Sequence, residues 1–166
     1  LLIAGLLFSY IYFNDAEMLS PIKIYSPQER ITTAGGGINN PGNLRKGGTK
    51  FQGEIDNPNE GSGFRAFQSM DYGYRAIIVL LRTYYRQGYT TLAKMMNHYA
   101  PPSENDTALY LSFLSNNTGI DPNADMNDYL YNSDSMTALV KNISLYEQGL
   151  SFGYYPDSLN NAYNLA

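Results

Sequence analysis

The residue best placed to do chemistry is Glu147, in the segment Leu145-Tyr-Glu-Gln-Gly149. It follows Ile143 by four residues and Val140 by seven, a spacing that puts it on the apolar face of a helix. It also falls in the last turn of that helix, before Gly149. Partial burial disfavours a charged carboxylate, and so does the negative end of a helix dipole. Both effects raise the pKa. A carboxylic acid that keeps its proton near neutral pH is what protonation of a glycosidic oxygen requires. The plainer alternative is a Glu at the edge of the apolar stripe whose head reaches solvent past Gly149. Periodicity alone favours that alternative.

Three other places hold reactive side chains. The stretch from Asn39 to Glu60 sets Glu54, Asp56 and Glu60 among amides and glycines, which suits hydrogen bonding to a polar polymer. The same composition fits a surface hairpin turning at Asn-Pro and Gly-Gly. Asp121, Asn123 and Asp125 stand at positions one, three and five of an EF-hand loop. Met126 then replaces the turn glycine and Asn132 the bidentate Glu, so a polar loop capping the last helix is the favoured reading. His98 follows Met95 and Met96, and no G-x-S-x-G nucleophile elbow accompanies it, so it reads as a structural histidine at a helix end.

Composition narrows the chemistry further. The 166 residues include no Cys and one His, which excludes disulfides, thiol nucleophiles and multi-histidine zinc sites. The net charge is −4 and the 11 Lys and Arg are scattered, unlike the basic stripe of a nucleic-acid binder. No cofactor, metal or nucleic-acid partner is expected. Carboxylates remain as the working groups.

These side chains need helices to hold them. Tyr74, Ile77, Ile78, Leu81, Tyr84 and Tyr85 follow the spacing of one buried helical face from Asp71 onward, with Gly88 as its stop. A short helix is predicted over Thr90 to Tyr99, ended by Pro101-Pro102. Ser103 is the expected N-cap of a third, with Asp106 at N3, before Ala108 to Leu114 and the closing Gly119. A long last helix begins at Ser133 or Asp134, with Met136, Leu139, Val140, Ile143 and Leu150 on its buried stripe. Short β-compatible pieces occur at Lys50 to Ile55 and Phe64 to Phe67. The fold class is therefore α+β, mostly helical, with a small irregular or β-hairpin region.

Leu1 to Phe13 is uncharged and has only Gly5 and Ser9 outside the apolar and aromatic set. It is shorter than the roughly 17–25 residues of a spanning helix, and it suits part of an anchor, part of a signal peptide or a core helix. No small-residue cleavage pattern follows, and Tyr10, Tyr12 and Phe13 resemble an interfacial belt. A membrane anchor fragment over residues 1–13 is the expectation, contacting a lipid membrane as a transmembrane-like helix. Residues 14–37 read as a tether ending in the flexible joint Gly35-Gly36-Gly37, and residues 38–166 as the folded domain.

Several strings run in one order. They are Asn39 to Arg45, Phe51 to Glu54, Phe64 to Ser69, Gly73 to Ala76, Leu81 to Tyr84, and Tyr99-Ala-Pro-Pro-Ser-Glu-Asn-Asp-Thr107. Together they resemble a phage and prophage family of virion structural or lysozyme-like proteins, over about Ile38 to Pro156. Asn40 to Arg45 followed by Phe64 to Ser69 is also similar to the centre of autolysin and flagellar-type N-acetylglucosaminidases. Those enzymes carry their catalytic Glu on a helix before this point. Here the similar Glu-x-Gly context comes last, at Glu147-Gln-Gly149, so the resemblance implies a circularly permuted lysozyme-like domain.

The resemblance implies cleavage of peptidoglycan glycan strands by a virion-associated, membrane-anchored protein, or one in the bacterial envelope. Glu147 would be the acid, and Glu54 or another loop carboxylate would activate water if the reaction is hydrolysis. If Glu147 instead acts as base on the muramic acid 6-hydroxyl, the enzyme is a lytic transglycosylase. Asn43 and Arg45 would bind substrate, and Phe67, Tyr72, Tyr99 and Tyr146 could wall the sugar rings, although core packing is the default for each aromatic. The rival expectations are a non-catalytic structural virion protein that keeps the fold beside other virion proteins, and a calcium-stabilised assembly module.

Overall fold

Helix α1, Met70–Arg86, forms where the apolar spacing predicts it, and its buried residues include Tyr74, Ile77, Ile78 and Leu81. Asp71 in its first turn and Arg86 in its last complement the helix dipole. A computed structural model describes residues 31–166 of the chain. The expected membrane anchor and residues 14–30 of the expected tether lie outside the described residues. Among the described residues, no helix is long and apolar enough to cross a membrane.

Helix α2, Leu92–Tyr99, starts at Thr91, whose hydroxyl accepts from the Lys94 N–H. Helix α3, Thr107–Thr118, is capped by Asp106, not Ser103. The Asp106 carboxylate accepts from the Leu109 N–H at 2.9 Å, and residues 102–105 form the turn before it. The Thr107 hydroxyl donates back to the Ala100 carbonyl, which ties that turn to the end of α2. Gly119 closes α3 in the left-handed region at φ 73°. A short helix α4, Asn127–Leu130, precedes α5, Ser133–Gln148, whose cap is the Asn132 side chain.

Helix α6, Pro156–Leu165, has no counterpart in the sequence expectation. Its stripe is thin, with Ser158, Leu159 and Ala162 buried, so periodicity hardly marks it. It nevertheless packs along α1 and against α5, while α3 packs on α5 and α2 on α3. The core these helices share includes Tyr74, Ile77, Leu81, Met95, Leu114, Leu139, Ile143 and Leu159.

The β content is smaller than the two predicted pieces. Strands β1, Glu54–Ile55, and β2, Ala66–Phe67, pair antiparallel, with Glu54 opposite Phe67 and Ile55 opposite Ala66. The architecture is thus mostly helical with one two-stranded sheet.

Residues 31–37 behave differently from the expected tether. Thr32 bridges Ile38, the Thr33 N–H donates to the Gly37 carbonyl at 2.9 Å, and Thr33 is buried. The three glycines make a tight turn packed on the domain. Gly37 lies against the Arg65 carbonyl, where a Cβ would collide with backbone. The folded unit therefore starts before Ile38.

Candidate functional site

A cleft of about 580 Å³ separates the loop Gly42–Phe51 from α1 and the α2–α3 connection. Its loop wall includes Asn43, Arg45, Gly47 and Phe51, backed by Arg65. The helical wall includes Thr83, Tyr84, Tyr99, Glu104 and Asn105, and Glu147 also lines the space.

Glu147 reaches the cleft because α5 buries Ile143 and Val140 and so turns its last turn inward. Asn43 meets it from the loop. The Asn43 Nδ2 donates to Glu147 Oε2 and to the Glu147 carbonyl, each at 3.1 Å. Asn43 holds φ at 47°, a left-handed conformation that Asn tolerates better than most residues. The Tyr110 hydroxyl faces the Glu147 carboxyl from α3, close enough to favour the carboxylate, though it completes no hydrogen bond of good geometry.

Burial dominates the electrostatics. It raises the Glu147 carboxyl from 4.5 to about 7, against the opposing pull of Asn43, Tyr110 and the Arg45 charge. The residue keeps some exposed surface at the cleft, so this is a carboxyl enclosed by protein with one open side. At neutral pH a large share of the molecules carry it protonated.

The other expected site residues divide. Arg45 lines the cleft and pairs with Glu104 at 3.0 Å, joining the two walls at the rim where the side chains are 63% and 50% exposed. Tyr99 also lines it, but its hydroxyl is committed to the Gly42 carbonyl at 2.6 Å. Gly42 must be glycine for this approach, because a Cβ would lie 2.5 Å from that hydroxyl and 2.9 Å from Ile77.

Glu54 does not face the cleft as a free carboxylate. It is buried in an ion pair with Arg65, each side chain 7% exposed, and also accepts from the Phe51 N–H at 2.9 Å. Phe67 is fully buried in the core, and Tyr146 is buried and stacked on Tyr110 with ring centroids 3.7 Å apart. Tyr72 packs against Gly53 outside the cleft wall. None of these three rings is offered to a ligand in the cleft, because core packing has claimed each of them.

Sequence reasoning missed Glu104, Arg65, Tyr110 and Gln148. Arg65 organises the loop wall: its guanidinium donates to the carbonyls of Arg45, Gly47 and Thr49 and lies over the Phe51 ring. Glu104 sits inside the Tyr99 to Thr107 string, which singles out the segment but not the residue's role. Asp121 and Asp125 turn to local work. Asp121 accepts from the Asn123 N–H, and Asp125 from the Asn127 N–H and the Tyr85 hydroxyl. Among the described residues, no group of three or more His, Asp or Glu side chains could hold a metal ion. His98 stacks on Tyr89 at 4.3 Å and meets Tyr84 edge-on.

No family model matches the sequence. Protein P5 of Pseudoalteromonas phage PM2 is 35% identical over 97 residues, or 56% of this chain and 60% of that protein. The similarity is to a phage protein. The chain spans less than two thirds of that relative's length. The match agrees with the phage side of the resemblance read from the sequence and carries nothing about a lysozyme-like domain.

Proposed function

We propose that this chain is a phage virion protein with a lysozyme-like domain that cleaves the glycan strand of peptidoglycan, with Glu147 as its acid. One observation carries the proposal: a buried carboxyl, with its pKa raised to about 7, lines a cleft and accepts a hydrogen bond on one oxygen. Protonated Glu147 donates to the oxygen bridging two amino sugars, and the C1–O bond breaks through an oxocarbenium-like centre. The proton leaves with the departing sugar hydroxyl. The Asn43 amide and the Arg45 charge then stabilise the carboxylate that remains.

The second half of the reaction needs a base. Among the described residues, the acidic side chains lining the cleft are Glu104 and Glu147, and Glu104 is paired with Arg45. Glu54 is held by Arg65. Glu147 therefore takes the proton of the muramic acid 6-hydroxyl as that oxygen closes on C1, which yields a 1,6-anhydro product and restores the acid. This is lytic transglycosylase chemistry. Leu1–Phe13 would hold the domain at a membrane, and other virion proteins would be its neighbours.

Digestion of purified peptidoglycan tests the proposal. Wild type should release soluble fragments, and Glu147→Gln should be slower by about 10²- to 10⁴-fold, the usual range for a general acid. Equal release by both proteins refutes it. The rim ion pair Arg45–Glu104, which ties the two walls together, favours one second reading: a non-catalytic virion protein that retains the cleft. Wild type inert on every wall tested supports that reading.

A further inference from the structure

Gln148, next to the acid in sequence, points away from it in function and toward the start of the domain. Its Oε1 accepts from the Ala34 N–H at 2.7 Å. Its Nε2 donates to the Pro41 carbonyl at 3.1 Å and to Asn43 Oδ1 at 2.9 Å. Asn43 Oδ1 also accepts from the Gly35 N–H at 3.0 Å, while Asn43 Nδ2 donates to Glu147. Two side-chain amides thus lie in series between the glycine turn and the carboxyl.

The polarity of this series is set by groups that cannot reverse. A backbone N–H only donates, and a backbone carbonyl only accepts. Ala34 and Pro41 therefore fix which end of the Gln148 amide is oxygen and which is nitrogen. Gln148 Nε2 and the Gly35 N–H then require that the end of Asn43 facing them is oxygen. Only the Asn43 nitrogen is left for Glu147. Oε2 of Glu147 accepts from Asn43, and the carbonyl-type oxygen of a protonated carboxyl is the better acceptor, so the acid's proton belongs on Oε1.

We propose that Gln148 is a positioning residue that, clamped between Ala34 and Pro41, locks the Asn43 amide so that its nitrogen faces Glu147 and the acid proton is carried on Oε1. Without Gln148 the Asn43 amide is held only by the Gly35 N–H and the Glu147 carbonyl, and the donation of its nitrogen to Glu147 Oε2 becomes less persistent. That donation favours the carboxylate, so its loss favours the protonated acid. The other titratable groups facing Glu147 are Arg45 from the loop, Tyr99 from α2, Tyr110 from α3 and Tyr146 on its own helix. Replacing Gln148 leaves all four side chains in place.

The catalytic consequence rests on the proposed function above, but the test does not. Carbon-13 NMR of protein labelled at the Glu side-chain carboxyls follows each titration, and the Glu147 signal is the one lost in Glu147→Gln. Gln148→Met keeps the length of the side chain and removes both its donor and its acceptor. The Glu147 midpoint should rise by about one pH unit, a tenfold change in its acid constant, with the melting temperature little altered. In wild type, the Asn43 side-chain NH₂ signals should shift with the same midpoint as Glu147.

A Gln148→Met protein that titrates at the wild-type midpoint overturns the proposal. So do Asn43 NH₂ signals that ignore the titration of Glu147, and that measurement decides the matter if Gln148→Met does not fold. A protein inert on peptidoglycan that shows both NMR effects refutes the catalytic reading and leaves the positioning role standing. An active enzyme lacking them does the reverse.

Discussion

Replacing Glu147 by Gln should stabilise the protein at alkaline pH and do little at acid pH. The folded state holds this carboxyl's pKa at about 7, against an ordinary value of 4.5. Between those values the unfolded chain has released a proton that the folded chain still binds. Stability therefore falls as pH rises through that window, and levels off above it. At about 1.4 kcal/mol per tenfold change, the full shift corresponds to about 3 kcal/mol. The open side of the carboxyl toward the cleft reduces this to about 2 kcal/mol. Gln keeps an oxygen to accept from Asn43 and has no charge to desolvate. Melting both proteins at pH 4.5 and pH 8 isolates the effect, since every other group titrates alike in the two. The difference in melting temperature between variant and wild type should move by about 8 °C in favour of Glu147→Gln between the two pH values, at about 4 °C per kcal/mol for a domain of this size. A difference that stays constant with pH would mean that Glu147 has the same pKa folded and unfolded, and the burial argument would fail.

Further outcomes follow from the groups that build the cleft. Arg65→Met leaves the Glu54 carboxylate buried without its partner and removes the three carbonyl contacts that shape the loop wall. Urea unfolding should show a loss of about 3–5 kcal/mol, and a loss typical of exposed pairs, under about 1 kcal/mol, would contradict that burial. Gly42→Ala drives a methyl into the Tyr99 hydroxyl and Ile77, so it should cost about 1–3 kcal/mol in the same assay; an unchanged midpoint would show that the loop yields freely. Asp106→Ala removes the α3 cap and should lower stability by about 1 kcal/mol, while Ser103→Ala should have almost no effect; the reverse order would return the cap to Ser103.

What could be read in the sequence was local and periodic. Helix α1 and the start of α5 follow from apolar spacing and a polar cap, and the same spacing put Glu147 on the buried face. Ser103 and Asp106 are both good capping residues three apart, and the turn over residues 102–105 takes up Ser103 and leaves Asp106 at the helix start. Helix α6 has too few buried apolar residues to announce itself, although Pro156 at its first turn followed by Asp157 is a start signal that could have found it. Gln148 and Glu104 owe their roles to partners far away in the chain: Gln148 binds Ala34 across 114 positions, and Arg45 meets Glu104 across 59. Arg65 owes its role to a loop that folds back on it from 11 to 20 positions away. No spacing rule sees such pairs. The glycine turn at residues 35–37 illustrates the same limit, since its composition suits a flexible joint until Asn43 binds the Gly35 N–H and Gln148 the Ala34 N–H beside it.

The most direct test of a single carboxyl acting as acid and then as base is the chemistry of the products. Purified peptidoglycan is digested in water enriched in oxygen-18, and the released fragments are weighed by mass spectrometry. If Glu147 does both steps, the fragments end in 1,6-anhydromuramic acid and carry no label, because the 6-hydroxyl and not water closes on C1. Fragments ending in a reducing sugar with one labelled oxygen would contradict this, and would require a water-activating base other than the paired Glu54 and Glu104.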